Sequence, residues 1–208
     1  MSPFFQNLHE LDQNLTLAIN SLHVHFMDPA VVLFSDIKFW VPMYIIVGAF
    51  MVMRLGWKKG GVIIISIALT FAISDQLANM VKDSVARLRP CYSTYMLDNG
   101  LHMLEKRGGL YGFYSAHAAN AFGFAVCSII GLRNDSTRKY RLYSFFILLW
   151  AAFVGISRIL AGKHYFGDVL VGAFAGIMTG ILIAMLARML IHKTLSEEKP
   201  AAQRATET

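Results

Sequence analysis

Charged and hydroxyl side chains that could bind and transfer a phosphate group occur in three short clusters. In chain order the clusters are Lys82, Arg89 and Pro90; Ser115, Ala116 and His117; and Ser157, Arg158, His164 and Asp168. Lysine and arginine donate charge-assisted hydrogen bonds to phosphate oxygens, and a serine at a helix start adds neutral donors beside free backbone N–H groups. One histidine could attack phosphorus while the other protonates the departing oxygen. The residue types therefore predict a phosphoryl-transfer site.

The spacing of His164 and Asp168 adds a specific expectation. They are four residues apart, so on a helical turn they share one face and can hydrogen-bond. A carboxylate in that position holds one ring nitrogen and leaves the other free to react.

The composition indicates where such a site would lie. Of the 208 residues 56% are hydrophobic and only 15% are charged, which is too apolar for a soluble domain of this size. The net charge of +6 does not indicate nucleic-acid binding, because the basic residues occur in short clusters between apolar runs. The two cysteines, Cys91 and Cys127, have neither metal-site spacing nor the settings of a disulfide pair.

Five segments are apolar enough to cross a bilayer, which requires roughly 20 residues per helix. They cover residues 39–54, 62–81, 115–132, 142–158 and 168–191. The sequence therefore predicts an all-α, polytopic transmembrane helix bundle with about five spans. In this topology the three clusters reach the same membrane surface.

The two ends of the chain are interpreted differently from this membrane-embedded domain, residues 39–192. Within residues 1–38, Leu8, Leu11 and Leu15 belong to an apolar stripe at helical spacing, opposite a polar face. This pattern predicts an interfacial amphipathic helix, with a sixth span as the alternative. Residues 193–208 are polar, and we expect a disordered cytoplasmic tail.

The distribution of basic residues predicts the orientation. Of the 19 Lys and Arg residues, eleven fall on the side of the 54–59 and 133–141 loops and eight fall on the side of the clusters. The richer side is expected to be cytoplasmic. We therefore expect the site to face the periplasm or cell exterior. The small size and few insertions favour a bacterial inner (plasma) membrane protein.

The three clusters resemble, in order, the three motifs of the type 2 phosphatidic acid phosphatase (PAP2) family. The first motif is Lys82-x6-Arg89-Pro90, and the third is Ser157-Arg158-x5-His164-x3-Asp168. The second departs from the usual Pro-Ser-Gly-His, because Tyr114 and Ala116 flank Ser115 before His117. Alanine keeps the backbone N–H, so the departure concerns the local loop shape and the choice of substrate.

The resemblance implies an integral membrane lipid phosphatase that works without a metal or cofactor through a phosphohistidine intermediate. It implies that His164 is the nucleophile, that Asp168 orients it and that His117 is the general acid. The implied phosphate cradle is Lys82, Arg89, Ser115, the Ala116 N–H and Arg158. The expected partners are a lipid phosphate and membrane lipids, without nucleic acid, and the oligomeric state stays open.

Several alternatives remain open at this point. The substrate could be undecaprenyl pyrophosphate, phosphatidylglycerol phosphate, phosphatidic acid or a lipid A phosphate. The alternative function is a membrane transporter or channel with an intramembrane charged path. Asp75 could support Lys82 or make an interhelical hydrogen bond. No role is assigned to Arg87 or to the histidines outside the motifs, which are His9, His23, His25, His102 and His192.

Overall fold

The computed structural model describes the backbone of residues 2–204 and the side chains of residues 2–194. Seven α-helices make up this part of the chain, and it contains no β-strand. They are α1 Pro3–Asn20, α2 Asp28–Ser35, α3 Ile37–Val85, α4 Thr94–Asp98, α5 Ala116–Leu132, α6 Arg141–Leu160 and α7 Phe166–Arg204. The predicted all-α class is therefore confirmed.

Helix α3 contains two of the predicted spans. Gly56 interrupts it with φ 76° and ψ 164°, a backbone conformation that glycine tolerates far better than other residues. The two arms then pack against each other, since a Cβ at Gly60 would lie 2.8 Å from the Cα of Val52. The predicted loop at 54–59 is thus a tight turn at Gly56.

Three helices are long and apolar enough to cross a membrane: Ile37–Val85, Arg141–Leu160 and the Phe166–Thr194 part of α7. Helix α5 is apolar but has only 17 residues. Because α3 has two arms, these four helices account for the five predicted spans. Helices α1 and α2 are bent by 87° relative to each other, with the His25–Met27 turn between them. Taken together, they are also long and apolar enough to cross a membrane.

Helix α1 places its apolar stripe outward and its polar face inward. Leu8 and Leu11 are more than half exposed, whereas Gln13, Thr16 and Asn20 are buried against the other helices. This arrangement suits a lipid environment, in which exposed leucine costs nothing and buried polar groups find protein partners. The interfacial position of residues 1–38 stays a prediction, with a sixth span as the alternative.

Part of the predicted disordered tail continues the last helix in the structure. The backbone of α7 remains helical to Arg204, so residues 193–204 extend the last helix. Alanine and glutamate are good helix formers, and adding residues to an existing helix avoids the cost of nucleation. Residues 205–208 of the predicted tail lie outside the described residues.

Helix α5 lies at the centre of the bundle and makes its closest approach to α7. Three glycines of α7, four residues apart, face the backbone of α5: Gly172, Gly176 and Gly180. A Cβ at Gly172 would lie 2.5 Å from the Ser115 carbonyl oxygen, and one at Gly180 would lie 2.7 Å from that of Gly123. Small residues let two helices approach this closely inside a membrane.

We predict that Gly176→Ala destabilises the protein, because its Cβ would overlap the Ala119 carbonyl group of α5. Overpacking of this kind costs about 1–3 kcal/mol. The matched control is Gly61→Ala, whose Cβ would meet nothing within 4 Å in helix α3, and we expect it to be neutral or stabilising by up to about 1 kcal/mol. Thermal unfolding in detergent measures both. Equal melting temperatures for the two variants would contradict the packing argument.

Candidate active site

The His164 and Asp168 side chains meet in the turn between α6 and α7. Gly162, with φ 71°, reverses the chain after α6, and Asp168 follows in the first turn of α7. His164 Nδ1 lies 3.5 Å from Asp168 Oδ2, and both residues are buried. Asp168 Oδ2 also accepts a hydrogen bond from the Tyr165 N–H at 3.0 Å. The geometry leaves His164 Nε2 as the nitrogen that does not face the carboxylate.

Burial controls the charge of His164. Removal from water lowers the pKa of its imidazole to about 4, although the nearby Asp168 carboxylate acts in the opposite direction. The imidazole is therefore neutral at pH 7. A neutral imidazole has the lone pair that a nucleophile needs.

Arg87, to which the sequence assigned no role, is the strongest partner of Asp168. Its Nη1 donates to Asp168 Oδ1 at 2.8 Å, and its Nη2 donates to Asp12 Oδ2 at 2.7 Å. Asp12, on the polar face of α1, also accepts from the Gly167 N–H at 2.7 Å. The guanidinium lies over the Tyr165 ring at 3.9 Å from its centroid. Arg87 thus joins α1 to the turn between α6 and α7.

The local backbone explains why Arg87 faces the same side as Arg89, although the sequence alone did not single it out. Helix α3 ends at Val85, and Ala86 adopts a left-handed conformation that turns the chain out of the helix. The residues before Pro90 are then extended, as residues preceding proline tend to be. In an extended segment positions two apart face the same side, so Arg87 and Arg89 point together while Leu88 pairs with Tyr111.

The guanidinium of Arg158 is buried and already holds an anion. Its Nη1 and Nη2 donate to the two carboxylate oxygens of Glu105 at 3.2 and 3.4 Å. Glu105 also lies 3.8 Å from the Lys163 ammonium, which donates to the Lys106 carbonyl oxygen. Glu105 thus occupies the two Arg158 donors that could otherwise bind two oxygens of a phosphate group. Neither Glu105 nor Lys163 was singled out from the sequence.

Ser115 is the N-cap of α5, where its hydroxyl accepts from the Ala118 N–H at 3.4 Å. Its own N–H donates to the Asp168 carbonyl oxygen at 3.0 Å, which fixes the start of α5 beside the start of α7. The first N–H groups of α5, including that of Ala116, have no helical acceptor and form an anion-binding end. Tyr114 is buried against Ala78 and Ala119.

His117 follows Ala116 in the first turn of α5. It lies within electrostatic range of four other predicted site residues. These are Arg158, His164, Lys82 and Arg89. Lys82 in turn interacts with Arg89 and Asp75. The structure therefore brings all eight predicted site residues to one end of the bundle.

A cavity of about 180 Å³ opens beside His117. Its walls are mainly apolar and include the aromatic residues Trp40, Tyr44, Phe71 and Trp150. Asp75 and Asn120 also line it, and Asp75 Oδ1 accepts a hydrogen bond from Asn120 Nδ2 at 2.8 Å. Of the two roles considered for Asp75, the interhelical hydrogen bond is the one with a direct contact.

The segment between α3 and α5 folds over the site as an ordered loop. The Arg89 N–H donates to the Leu110 carbonyl oxygen at 3.0 Å, and the Gly112 N–H donates to that of Arg87 at 2.9 Å. Arg89 Nε donates to the Tyr111 carbonyl oxygen at 3.1 Å. The loop thus holds the extended Arg87–Arg89 segment in place, which favours a functional role over an inert connector.

Comparison with known proteins agrees with this arrangement. The chain is 33% identical over 192 residues to the "Lipid A 4'-phosphatase" of Bacteroides thetaiotaomicron, covering 91% of this chain and 83% of that protein. It is 30% identical over 172 residues to the protein of the same name from Porphyromonas gingivalis, covering 82% and 70%.

A similar fold occurs in the crystal structure of a transmembrane PAP2 type phosphatidylglycerolphosphate phosphatase from Bacillus subtilis. The TM-score is 0.71 at 20% identity, over 88% of this chain and 87% of that one. The PAP2 superfamily model matches residues 62–191, a range that contains all three motifs. The chain is therefore a member of the PAP2 superfamily, a membrane phosphatase that acts on lipids.

Proposed function

We propose that the enzyme removes a phosphate from lipid A, with the 4′-phosphate as the preferred group, through a covalent phosphohistidine at His164. The observation that carries the chemistry is the buried, neutral His164 held against Asp168 among the cations Arg158, Lys82 and Arg89. The choice of lipid rests on two relatives named lipid A 4′-phosphatase. On this basis we rank a lipid A phosphate above the other candidate substrates.

In the proposed reaction His164 Nε2 attacks phosphorus, which forms a P–N bond and breaks the bond to the lipid oxygen. His117 donates its proton to that oxygen, so the lipid leaves as an alcohol. Water then attacks the phosphohistidine, with His117 accepting its proton, and inorganic phosphate is released. Asp168 Oδ2 faces Nδ1 at 3.5 Å and stabilises the positive charge that the ring acquires.

Cations supply the electrostatic stabilisation. The three equatorial phosphoryl oxygens gain negative charge during transfer, and fixed donors aimed at them lower the barrier. Arg158 is held by a carboxylate in the substrate-free enzyme, so we propose that the substrate phosphate displaces Glu105 from it. The free N–H groups at the start of α5 would complete the cradle.

The transporter or channel alternative has less support. A permeation path is expected to have polar groups near the membrane midplane between broken helices. Here the charged residues of the candidate site gather where α3, α5, α6 and α7 begin or end, at one end of the bundle.

We expect purified enzyme to release phosphate from lipid A carrying a 4′-phosphate with the highest kcat/KM in a panel. The panel also contains lipid A 1-phosphate, phosphatidylglycerol phosphate, phosphatidic acid and undecaprenyl pyrophosphate. A preference of at least about tenfold corresponds to about 1.4 kcal/mol of differential transition-state binding. His164→Ala is the inactive control. Faster turnover of any other lipid in the panel would refute the assigned substrate while leaving the phosphatase class intact.

The two histidines should respond differently to the leaving group. His117→Ala should slow phosphoenzyme formation from a lipid substrate by about 10²–10⁴, because the oxygen then leaves unprotonated. It should matter far less with an aryl phosphate, whose leaving group needs no proton. His164→Ala should abolish both reactions, since no phosphoryl acceptor remains. Rapid-quench trapping of acid-labile phosphohistidine measures this. A phosphoenzyme in the His164 variant, or equal losses with both esters in the His117 variant, would overturn the assignment.

We also propose that the site faces the periplasm, on the basis of the basic loops. In a variant whose buried Cys91 and Cys127 are replaced by serine, a cysteine at exposed Gly109 should react with an impermeant thiol reagent in cells with a permeabilised outer membrane. A cysteine at exposed Ser136 should react only after lysis. The reverse labelling pattern would place the site in the cytoplasm.

A further inference from the structure

Three side chains outside the catalytic centre form a cluster whose atoms suit a metal ion. They are His23, which follows α1, Asp28 at the start of α2, and His102 in the loop before α5. One ligand atom from each lies within 4.8 Å of the other two. His23 Nδ1 is 3.7 Å from Asp28 Oδ1, and His102 Nε2 is 3.7 Å from Asp28 Oδ2. The fold thus brings together two histidines from distant parts of the sequence.

The three side chains are not held together by hydrogen bonds to one another. Both nitrogen–oxygen distances of 3.7 Å exceed those of a hydrogen bond. His23 Nδ1, Asp28 Oδ1 and His102 Nε2 are all buried without a hydrogen-bond partner among the described residues. Unsatisfied buried polar atoms are costly and rare, so three that converge on one point need a common partner.

The two imidazole rings stack, with centroids 3.6 Å apart and planes inclined by 2°. An imidazole binds a metal ion through the in-plane lone pair of one ring nitrogen. Because the lone pairs lie in the ring planes, the two rings would have to tilt toward each other to bind a shared ion. Ligand atoms around tetrahedral Zn²⁺ are about 3.3–3.6 Å apart, which follows from bond lengths of about 2.0–2.2 Å.

The backbone of His102 is held in place independently of any ion. The buried Asn20 side chain accepts from the His102 N–H at 2.7 Å and donates to the His102 carbonyl oxygen at 3.0 Å. Asn20 Nδ2 also lies 3.0 Å from the carbonyl oxygens of Ile159 and Leu160 at the end of α6. The backbone at His102 is therefore preorganised, which reduces the entropy cost of binding an ion.

We propose that His23, Asp28 and His102 bind a divalent transition-metal ion, with Zn²⁺ as the best fit. Two imidazole nitrogens and one carboxylate oxygen suit Zn²⁺, whereas Mg²⁺ and Ca²⁺ prefer oxygen ligands alone. The side chains of His23 and His102 are 30% and 31% exposed, so water can complete the coordination. His25 Nδ1 lies 3.3 Å from Asp28 Oδ2 but is outside the three-residue group.

The ion would act on the loop rather than on the reaction. His102 lies three residues before Glu105, whose carboxylate holds Arg158. An ion at the cluster would clamp this loop to the α1–α2 turn and so fix the distance between the loop and the phosphate cradle. The chemistry at phosphorus would remain free of metal.

The test measures Zn²⁺ itself. We expect full-length protein, purified in detergent, stripped with chelator and dialysed against Zn²⁺, to retain about one Zn²⁺ per chain by elemental analysis. Zn²⁺ should raise its melting temperature by about 5 °C, since an ion that binds only the folded state stabilises it. Mg²⁺ should not. Co²⁺ in place of Zn²⁺ should give the visible absorption of a tetrahedral site, which requires no variant.

Two variants and a control locate the ion. His102→Asn and His23→Asn should weaken Zn²⁺ binding at least about 100-fold, because each loses one of three ligands. His192→Asn, at an exposed position of α7, should bind as wild type does. Gel filtration and circular dichroism show whether the variants fold. Less than stoichiometric Zn²⁺ on wild-type protein, absence of tetrahedral Co²⁺ absorption, or equal binding by folded His102→Asn would overturn the proposal.

Discussion

The buried charge of Asp168 is the constraint on which the rest of the site depends. Its side chain has no exposure, and an isolated carboxylate in such a place would be strongly destabilising. Arg87, the Tyr165 N–H and His164 surround it with donors. Loss of one member of such a buried pair costs about 3–5 kcal/mol. The carboxylate that orients the histidine therefore requires a fixed cation beside it.

That requirement explains why the N-terminal helix packs with its polar face inward. Arg87 reaches Asp168 with one nitrogen and Asp12 of α1 with the other. Thr16 accepts from the Phe166 N–H at 2.9 Å, and Asn20 holds the end of α6 and the loop at His102. Helix α1 thus satisfies the backbone groups around the catalytic turn. Its exposed leucines are the consequence, and a lipid environment accommodates them.

The close contact of α5 with α7 aligns the remaining groups. Because glycines of α7 face the α5 backbone, the Ser115 N–H can donate to the Asp168 carbonyl oxygen. The start of α5, the proposed anion-binding end, and the His164 turn before α7 then lie side by side. Burial makes His164 neutral and Arg158 a desolvated donor, and low polarity strengthens each electrostatic interaction in the site. Catalytic geometry here follows from helix packing.

By itself, the sequence determined the membrane class and the helical class of the fold, because apolar length is a property of short segments. Motif spacing predicted eight site residues, which the structure brings to one end of the bundle. It did not indicate Arg87 and Asp12, since their pairing joins positions far apart in the chain. Glu105 and the histidine cluster at Asp28 were likewise unpredictable, because they depend on how one loop folds back onto the end of α6. The sequence predicted that α1 has a polar face, but not that this face packs against the rest of the protein. Only tertiary packing decided these points, because the free energy of burying a charge depends on which groups surround it in space.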